Sequence, residues 1–309
     1  MQYLIKIQNT STLKFAPSCQ HAFSWHDRIG NHHGRDTEMH VELANTPESN
    51  PQLLARSLKL YCASLLHVFG LALFIALIVW LSRFAVSSFG WQQIKLIYLD
   101  VCVFIIGILI YFIFTALLWR MRCVITQAHE NIFDDLLVAS KKILLIVGAA
   151  LIQAFLVMLM TVTVYYLAYF IQKQPPLYAF YLTMVVFILY TLVFVYVYYL
   201  LIFYLPLILT EDKGIFSALM KSVSLVWGNW WRVFLLQIIP LGSYFVCIFI
   251  LSWIFHVNIN IYLSETPLYI LATVLNLFLI ALFIPFNGAV LLVQLRDLEL
   301  RKAVSYPKK

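Results

Sequence analysis

The sequence predicts an all-α polytopic membrane protein with six transmembrane helices and two amphipathic helices on the cytoplasmic surface. Of its 309 residues, 63% are apolar and only 11% are charged, whereas soluble domains average about 45–50% apolar and about 25% charged residues. The apolar residues form continuous stretches, unlike the alternating pattern of a transmembrane β-barrel. These observations exclude a soluble globular enzyme and a disulfide-stapled secreted domain.

Residues 1–55 are predicted to form a disordered cytoplasmic segment. Their first 50 residues are polar and rich in His, Asn and Ser, so they lack the apolar side chains that would offset the entropy of ordering. An alternative prediction starts translation at Met39, because the chain from there leads directly into the first helix. The segment contains residues of metal-ligating types, but their spacing matches no standard zinc pattern. These are Cys19, His21, His26, Asp27, His32, His33, Asp36, Glu38 and His40. We therefore predict no metal site and no cofactor.

Six apolar stretches are long enough to cross a bilayer, which requires about 20 residues. They cover residues 60–81, 97–119, 143–171, 177–209, 233–255 and 268–295. The fourth exceeds the thickness of the bilayer core, so we expect it to tilt or to project, and to bend or end near Pro206. Pro240 and Pro285 are candidate breaks in the fifth and sixth. The predicted transmembrane domain is thus 56–296, followed by a short basic cytoplasmic tail, 297–309.

The distribution of Lys and Arg predicts that both termini face the cytoplasm. Of 21 basic residues, only Arg83, Lys95 and Lys173 fall on the other side of the membrane in this topology. Basic residues are retained on the cytoplasmic side of multi-pass proteins. The formal net charge of +7 therefore indicates orientation, and we predict no nucleic-acid partner.

The two longer cytoplasmic loops contain similar segments, 131–137 and 214–220. They share Ile, Phe and Leu at their second, third and sixth positions. Apolar residues recur there at helical spacing, Asn131 and Gly214 are suitable N-caps, and Asp134 can complete a capping box. We predict two amphipathic helices whose apolar sides lie in the membrane interface. Internal duplication and two unrelated juxtamembrane helices both remain open as explanations.

The second of these loops ends in Trp-Gly-Asn-Trp-Trp-Arg, residues 227–232. Indole rings favour the headgroup region, and an arginine can pair with lipid phosphates. The cluster is either an interfacial anchor or a lipid-headgroup site. The candidate lipid-binding residues are Lys221, Trp227, Trp230, Trp231 and Arg232.

Polar residues inside the apolar stretches give an alternative function. Asp100 lies near the outer end of the second stretch, and an ionisable group there is a functional candidate. With His67 and Asn276 it suggests a polar path for a small-solute transporter or channel. The other interpretation is that such groups hydrogen-bond neighbouring helices together. The sequence contains no phosphate-binding loop, HExxH or GxSxG motif, so we do not expect an enzyme.

Residues 203–214, 218–222 and 228–232 carry a resemblance to known proteins. They combine an apolar helix ending near a proline, an acidic pair with glycine, a short amphipathic helix and a Trp-containing segment that leads back into the membrane. In this the chain resembles the YciC-like bacterial inner-membrane proteins and the membrane region of some glycerophosphodiester phosphodiesterases. The resemblance implies a six-helix bundle in a bacterial inner membrane. It implies no reaction, because no soluble stretch is long enough for the phosphodiesterase barrel.

Together these observations predict a non-enzymatic, multi-pass protein of the bacterial inner (plasma) membrane. Its expected role is in envelope or lipid homeostasis, through binding of lipids or of partner proteins. The expected partners are membrane lipids and other inner-membrane proteins.

Overall fold

A computed structural model gives the fold for residues 43–89, 96–127, 131–171, 173, 175–211, 214–255 and 267–305. Within these ranges the regular structure is helical and contains no strand. Six helical segments are long and apolar enough to cross a membrane. The predicted all-α membrane fold with six spans is therefore confirmed. Residues 1–42, which include the histidine-rich segment and Met39, lie outside the described ranges, as does Lys95.

The helices of the described chain follow the predicted order, with short helices at both predicted cytoplasmic positions. They are α1 (Asn50–Phe89), α2 (Leu96–Thr126), α3 (Ile132–Lys141), α4 (Ile143–Ile171), α5 (Pro176–Leu201), α6 (Tyr204–Glu211), α7 (Ile215–Val226), α8 (Trp230–Phe255) and α9 (Pro267–Ser305). The fourth span, Tyr178–Thr210, combines α5 and α6. Helix α9 continues through the first residues of the predicted tail.

The centre of the bundle is formed by α1, α2 and α9, with α8 packed against α9. Helices α1 and α9 run antiparallel, since the ring of Tyr61 lies 5.5 Å from that of Phe286 and the ring of Phe69 lies 5.8 Å from that of Phe278. Small, fully buried side chains line this core, and small residues let membrane helices approach closely. They include Ala72, Ala76, Ala116, Ala281 and Ala289.

Helices α4 and α5 form a peripheral hairpin that packs on itself and on α2, α6 and α7. Most of its large apolar side chains are exposed, as expected where the solvent is lipid. Exposed tyrosines cluster near the turn between the two helices, in keeping with the preference of tyrosine for the membrane interface. They are Tyr165, Tyr166, Tyr169, Tyr178 and Tyr181.

The fourth span is interrupted at Ile202 and Phe203, shortly before Pro206. Proline has no N–H to donate and its ring clashes with the carbonyl four residues earlier, so a helix is disrupted ahead of it. The fully buried Ser222 of α7 satisfies the interrupted backbone. Its hydroxyl donates to the carbonyl of Leu200 over 2.8 Å and accepts from the N–H of Phe203 over 3.3 Å.

Pro240 and Pro285 behave differently, because α8 and α9 continue through them without a break. Membrane helices tolerate proline where neighbouring groups satisfy the freed backbone. Gly288, near the second proline, lets α9 approach α2. A Cβ atom there would lie 3.2 Å from the sulfur of Met121 and 3.3 Å from carbons of Leu117 and Leu118. Neither proline therefore breaks its helix, and Gly288 is a close packing position between α9 and α2.

Ser222→Ala should destabilise the protein by about 1–3 kcal/mol, because it leaves the carbonyl of Leu200 and the N–H of Phe203 buried without a partner. Thermal unfolding in lipid nanodiscs measures the effect. Ser140→Ala is the matched control, since the described side-chain hydrogen bond of this exposed serine lies within its own helix, to the carbonyl of Leu137. Equal melting temperatures for the two variants would contradict the role assigned to Ser222.

Candidate functional site

One end of the bundle gathers α3, α7, the start of α1 and the end of α9, and we call it the basic end. Contacts between Glu48 and Asp297 and between Lys221 and Glu299 join the start of α1 and α7 to α9, and the ion pair of Arg120 with Asp135 joins α3 to the end of α2. Most described cations lie here: Arg56, Lys59, Arg120, Arg122, Lys141, Lys142, Lys221, Arg232, Arg296, Arg301 and Lys302. Lys173 lies at the opposite end, in the turn between α4 and α5. The basic end is the one that the sequence predicts to be cytoplasmic.

A buried carboxylate organises the basic end. Asp297 of α9 is fully buried, and its Oδ2 accepts from Nε of Arg232 over 3.2 Å and from Nε of Arg301 over 2.8 Å. Its Oδ1 accepts from the backbone N–H of Glu48 over 2.8 Å. A buried charge is tolerated only where ion pairs and hydrogen bonds replace its hydration. Asp297 meets that condition with three donors.

Glu48 extends this ion cluster to the segment before α1. Its backbone carbonyl accepts from the guanidinium groups of Arg232 and Arg301, the latter over 2.6 Å. Its side-chain Oε2 accepts from Nε of Arg56 over 3.1 Å. The ion cluster, Glu48, Arg56, Arg232, Asp297 and Arg301, therefore joins the start of α1 to α8 and α9. Sequence analysis did not single out Glu48 or Asp297, because a carboxylate near a predicted tail carries no sign of being buried.

The two predicted lipid-binding cations have carboxylate partners within the protein. Arg232 pairs with Asp297 as described, and Nζ of Lys221 donates to Oε1 of Glu299 over 3.0 Å. Through these pairs α8 and α7 are tied to α9. Both side chains are only partly exposed, so their main described contacts are with the protein.

The three predicted tryptophans occupy two environments. Trp230 stacks on Phe234 with ring centroids 5.2 Å apart and donates its indole N–H to the carbonyl of Tyr196 over 3.3 Å. It therefore packs the start of α8 against α5. Trp227 and Trp231 are 68% and 70% exposed. Those two rings lie at the surface of the protein.

A cavity of about 610 Å³ lies between α7, the turn after it and the end of α9. The turn contains Gly228 at φ +85°, a left-handed conformation that favours glycine. The described lining residues are Pro47, Met220, Val223, Ser224, Leu225, Trp227, Asn229, Arg301, Lys302 and Val304. Two cations thus meet an exposed indole and several apolar side chains, an arrangement that suits an anionic amphiphile.

The three predicted transport residues are not joined by a described contact. His67 is exposed on α1, while Asn276 of α9 accepts a hydrogen bond from the hydroxyl of Tyr244 over 2.9 Å. Asp100 lies in α2, but its side chain is outside the described part of the structure. A second polar pair bridges the same two helices as Asn276 and Tyr244. In it the amide of Gln237 donates to Oε1 of Gln294 over 3.0 Å.

Asp297→Asn should destabilise the protein by about 3–5 kcal/mol, because it leaves two arginines at the buried site without their shared counter-charge. Glu299→Gln is the matched control on the same helix. Its pair with Lys221 is partly exposed, with side chains 27% and 25% exposed, so its loss should cost about 1 kcal/mol or less. Chemical unfolding in detergent measures both. A cost for Asp297→Asn no larger than that of the control would refute the role of the buried carboxylate.

Comparison with known proteins identifies a family over most of the chain. No curated protein and no solved structure matches the chain. A family model described as a domain of unknown function, DUF7847, matches residues 49–295. The matched interval begins beside Glu48 and extends well into α9, so it includes all six spans in whole or in large part. The chain therefore belongs to the DUF7847 family.

Proposed function

We propose that this integral membrane protein binds and organises anionic phospholipids at its basic end, and that this end faces the cytoplasm of a bacterial cell. The observation that carries the proposal is the direction of the side chains on α3 and α7. Both helices turn large apolar side chains away from the bundle, next to exposed lysines.

The two short helices use equivalent positions in the same way. Several of the positions that match between the two helices are exposed in both or buried in both, whereas Ile132 is exposed and Ile215 is partly buried. The exposed pairs are Phe133 with Phe216 and Leu137 with Met220, and the buried pairs are Asp135 with Ala218 and Ala139 with Ser222. A helix that keeps its apolar side chains away from the protein core is stable where that face enters the membrane interface. Internal duplication and two unrelated interfacial helices would both produce this partial match.

The inward faces attach each helix firmly to the bundle. In α3, buried Asp135 lies 3.4 Å from the guanidinium of Arg120 in α2. In α7, Ser222 bonds to the interrupted fourth span. Lys142, just after α3, donates to the carbonyl of Ile208 over 2.9 Å at the end of α6. The outward faces are therefore held in one position at the membrane surface.

Charge supplies the preference for anionic lipids. Lys59 and Lys141 are exposed at the basic end, and each basic residue near a membrane surface contributes about 1 kcal/mol to attraction for anionic lipids. Exposed Trp231 adds an interfacial anchor. This combination favours a lipid-organising role over a catalytic one, in keeping with the resemblance to YciC-like inner-membrane proteins and a role in envelope or lipid homeostasis.

The transporter alternative receives less support from the same contacts. The hydrogen bonds of Asn276 with Tyr244 and of Gln237 with Gln294 connect α8 to α9, which is the pattern of polar groups that pack membrane helices. His67 lies on an exposed surface of α1. We therefore favour lipid binding, with other membrane proteins as further partners.

Spin-labelled lipids test the proposal directly. Electron paramagnetic resonance of reconstituted protein should show a larger motionally restricted fraction for phosphatidylglycerol than for phosphatidylcholine. The double variant Lys59→Gln/Lys141→Gln should reduce the relative association constant by about twofold or more, given the contribution of each surface lysine.

Lys173→Gln is the control for that measurement. Its ammonium lies 4.6 Å from the ring of Tyr169 at the opposite end of the bundle, so this variant should keep most of the preference. The proposal fails if the wild-type protein restricts both lipids equally, or if the control loses as much preference as the double variant.

A further inference from the structure

We propose that the cavity between α7 and the end of α9 binds one anionic phospholipid through its phosphate group. The inference rests on the proposed function and gives it a discrete site. Lys302 and Trp227 are the principal binding residues, supported by Arg301 and Asn229. The occupant differs from the lipids around the protein in its fixed stoichiometry of one per chain.

The size of the cavity suits a single bound molecule. Its volume of about 610 Å³ lies within the range of about 300–1,000 Å³ that is usual for small-molecule sites. That space accommodates a headgroup and the adjoining glycerol. A bound headgroup in such a pocket is distinct from lipids that merely touch a flat surface.

The charge of the lining selects an anion. Among the described lining residues, the charged ones are Arg301 and Lys302. The ammonium of Lys302 contacts the hydroxyl and the carbonyl of Ser224, the latter over 3.4 Å, and both partners are neutral. A phosphate placed there would give Lys302 an anionic acceptor, which the neutral groups of Ser224 do not provide. The indole N–H of Trp227 and the amide of Asn229 are further donors.

The apolar lining distinguishes a lipid from a soluble phosphate compound. Met220, Trp227 and Val304 are 71%, 68% and 69% exposed around the same cavity. A soluble anion would leave these side chains in water, whereas the glycerol and upper acyl chains of a lipid would cover them. Met220 also belongs to the outward apolar face of α7, next to exposed Phe216. The cavity is therefore continuous with the face that we place in the membrane interface.

The ion cluster holds the walls of this cavity in place. Arg301 is fixed by Asp297 and by the carbonyl of Glu48, and Pro47 beside Glu48 forms part of the lining. Side chains that are locked by surrounding hydrogen bonds bind a ligand with less loss of entropy. The ion cluster thus positions the binding residues, although Asp297 itself does not contact the lipid.

Native mass spectrometry tests the proposal on the full chain. Delipidated protein in detergent is titrated with dioleoylphosphatidylglycerol, and we expect one adduct that persists at activation energies that remove all others. Lys302→Gln and Trp227→Ala should each weaken this adduct about tenfold, as expected for loss of a hydrogen bond to a charged group. Lys302→Arg should retain it, which separates loss of charge from misfolding.

Two matched controls lie at the far end of the bundle. Lys173→Gln removes a charge, and Trp253→Ala removes an indole ring that is 72% exposed; neither should change the adduct by more than about twofold. Glycerol phosphate, the soluble counterpart, should not displace the lipid at matched concentration. Displacement would overturn the assignment to a lipid, and an adduct unaffected by Lys302→Gln and Trp227→Ala would overturn the assignment to this cavity.

The outcome is separable from that of the spin-label measurement. If the preference for phosphatidylglycerol persists but no discrete adduct forms, the cavity proposal fails while the proposed function stands. If the adduct forms and responds to Lys302→Gln but Lys59→Gln/Lys141→Gln leaves the restricted fraction unchanged, the broader surface proposal fails while the discrete site stands.

Discussion

The buried carboxylate of Asp297 is the interaction on which the arrangement of the basic end depends. It compensates Arg232 of α8 and Arg301 of α9, and it receives the backbone N–H of Glu48 before α1. Burying a charge is costly, so the loss of one partner would leave the remaining charges buried without compensation. Three segments that are distant in the sequence are therefore held together at one point. The cavity beside them takes its shape from that point, because Pro47 and Arg301 form part of its wall.

The six spans could be predicted from the sequence because a bilayer demands long apolar helices. The short helices α3 and α7 were predicted as well, and the backbone N–H of Asn131 donates to Oδ2 of Asp134 over 3.2 Å, as expected of a capping residue. Proline was less informative. Pro206 precedes a real interruption, whereas α8 and α9 pass through Pro240 and Pro285, because the outcome depends on which neighbouring groups are available to the backbone.

The partners of the polar side chains could not be predicted. Arg232 and Lys221 are of the residue types that bind lipid headgroups. Their carboxylate partners lie on α9, and only the fold brings these partners close to them. Lys302, in contrast, falls in the predicted basic tail, where nothing in the sequence distinguishes it from its neighbours. Lys302 is important because the end of α9 places it at the cavity beside Trp227. Hydropathy predicts which segments enter the membrane. Predicting the ion pairs between those segments requires knowing where each segment lies in space.

The contact between Glu48 and Arg301 has a consequence for biosynthesis. The segment that precedes α1 is held by Arg301 of α9, so it cannot reach its final position until α9 has been translated. Through most of synthesis Arg56 has Glu48 nearby, but Asp297 and Arg301 do not yet exist. The first helix to enter the membrane is thus among the last to gain its ion pairs. A nascent chain that stops short of α9 would lack these contacts and would be a substrate for quality-control proteases.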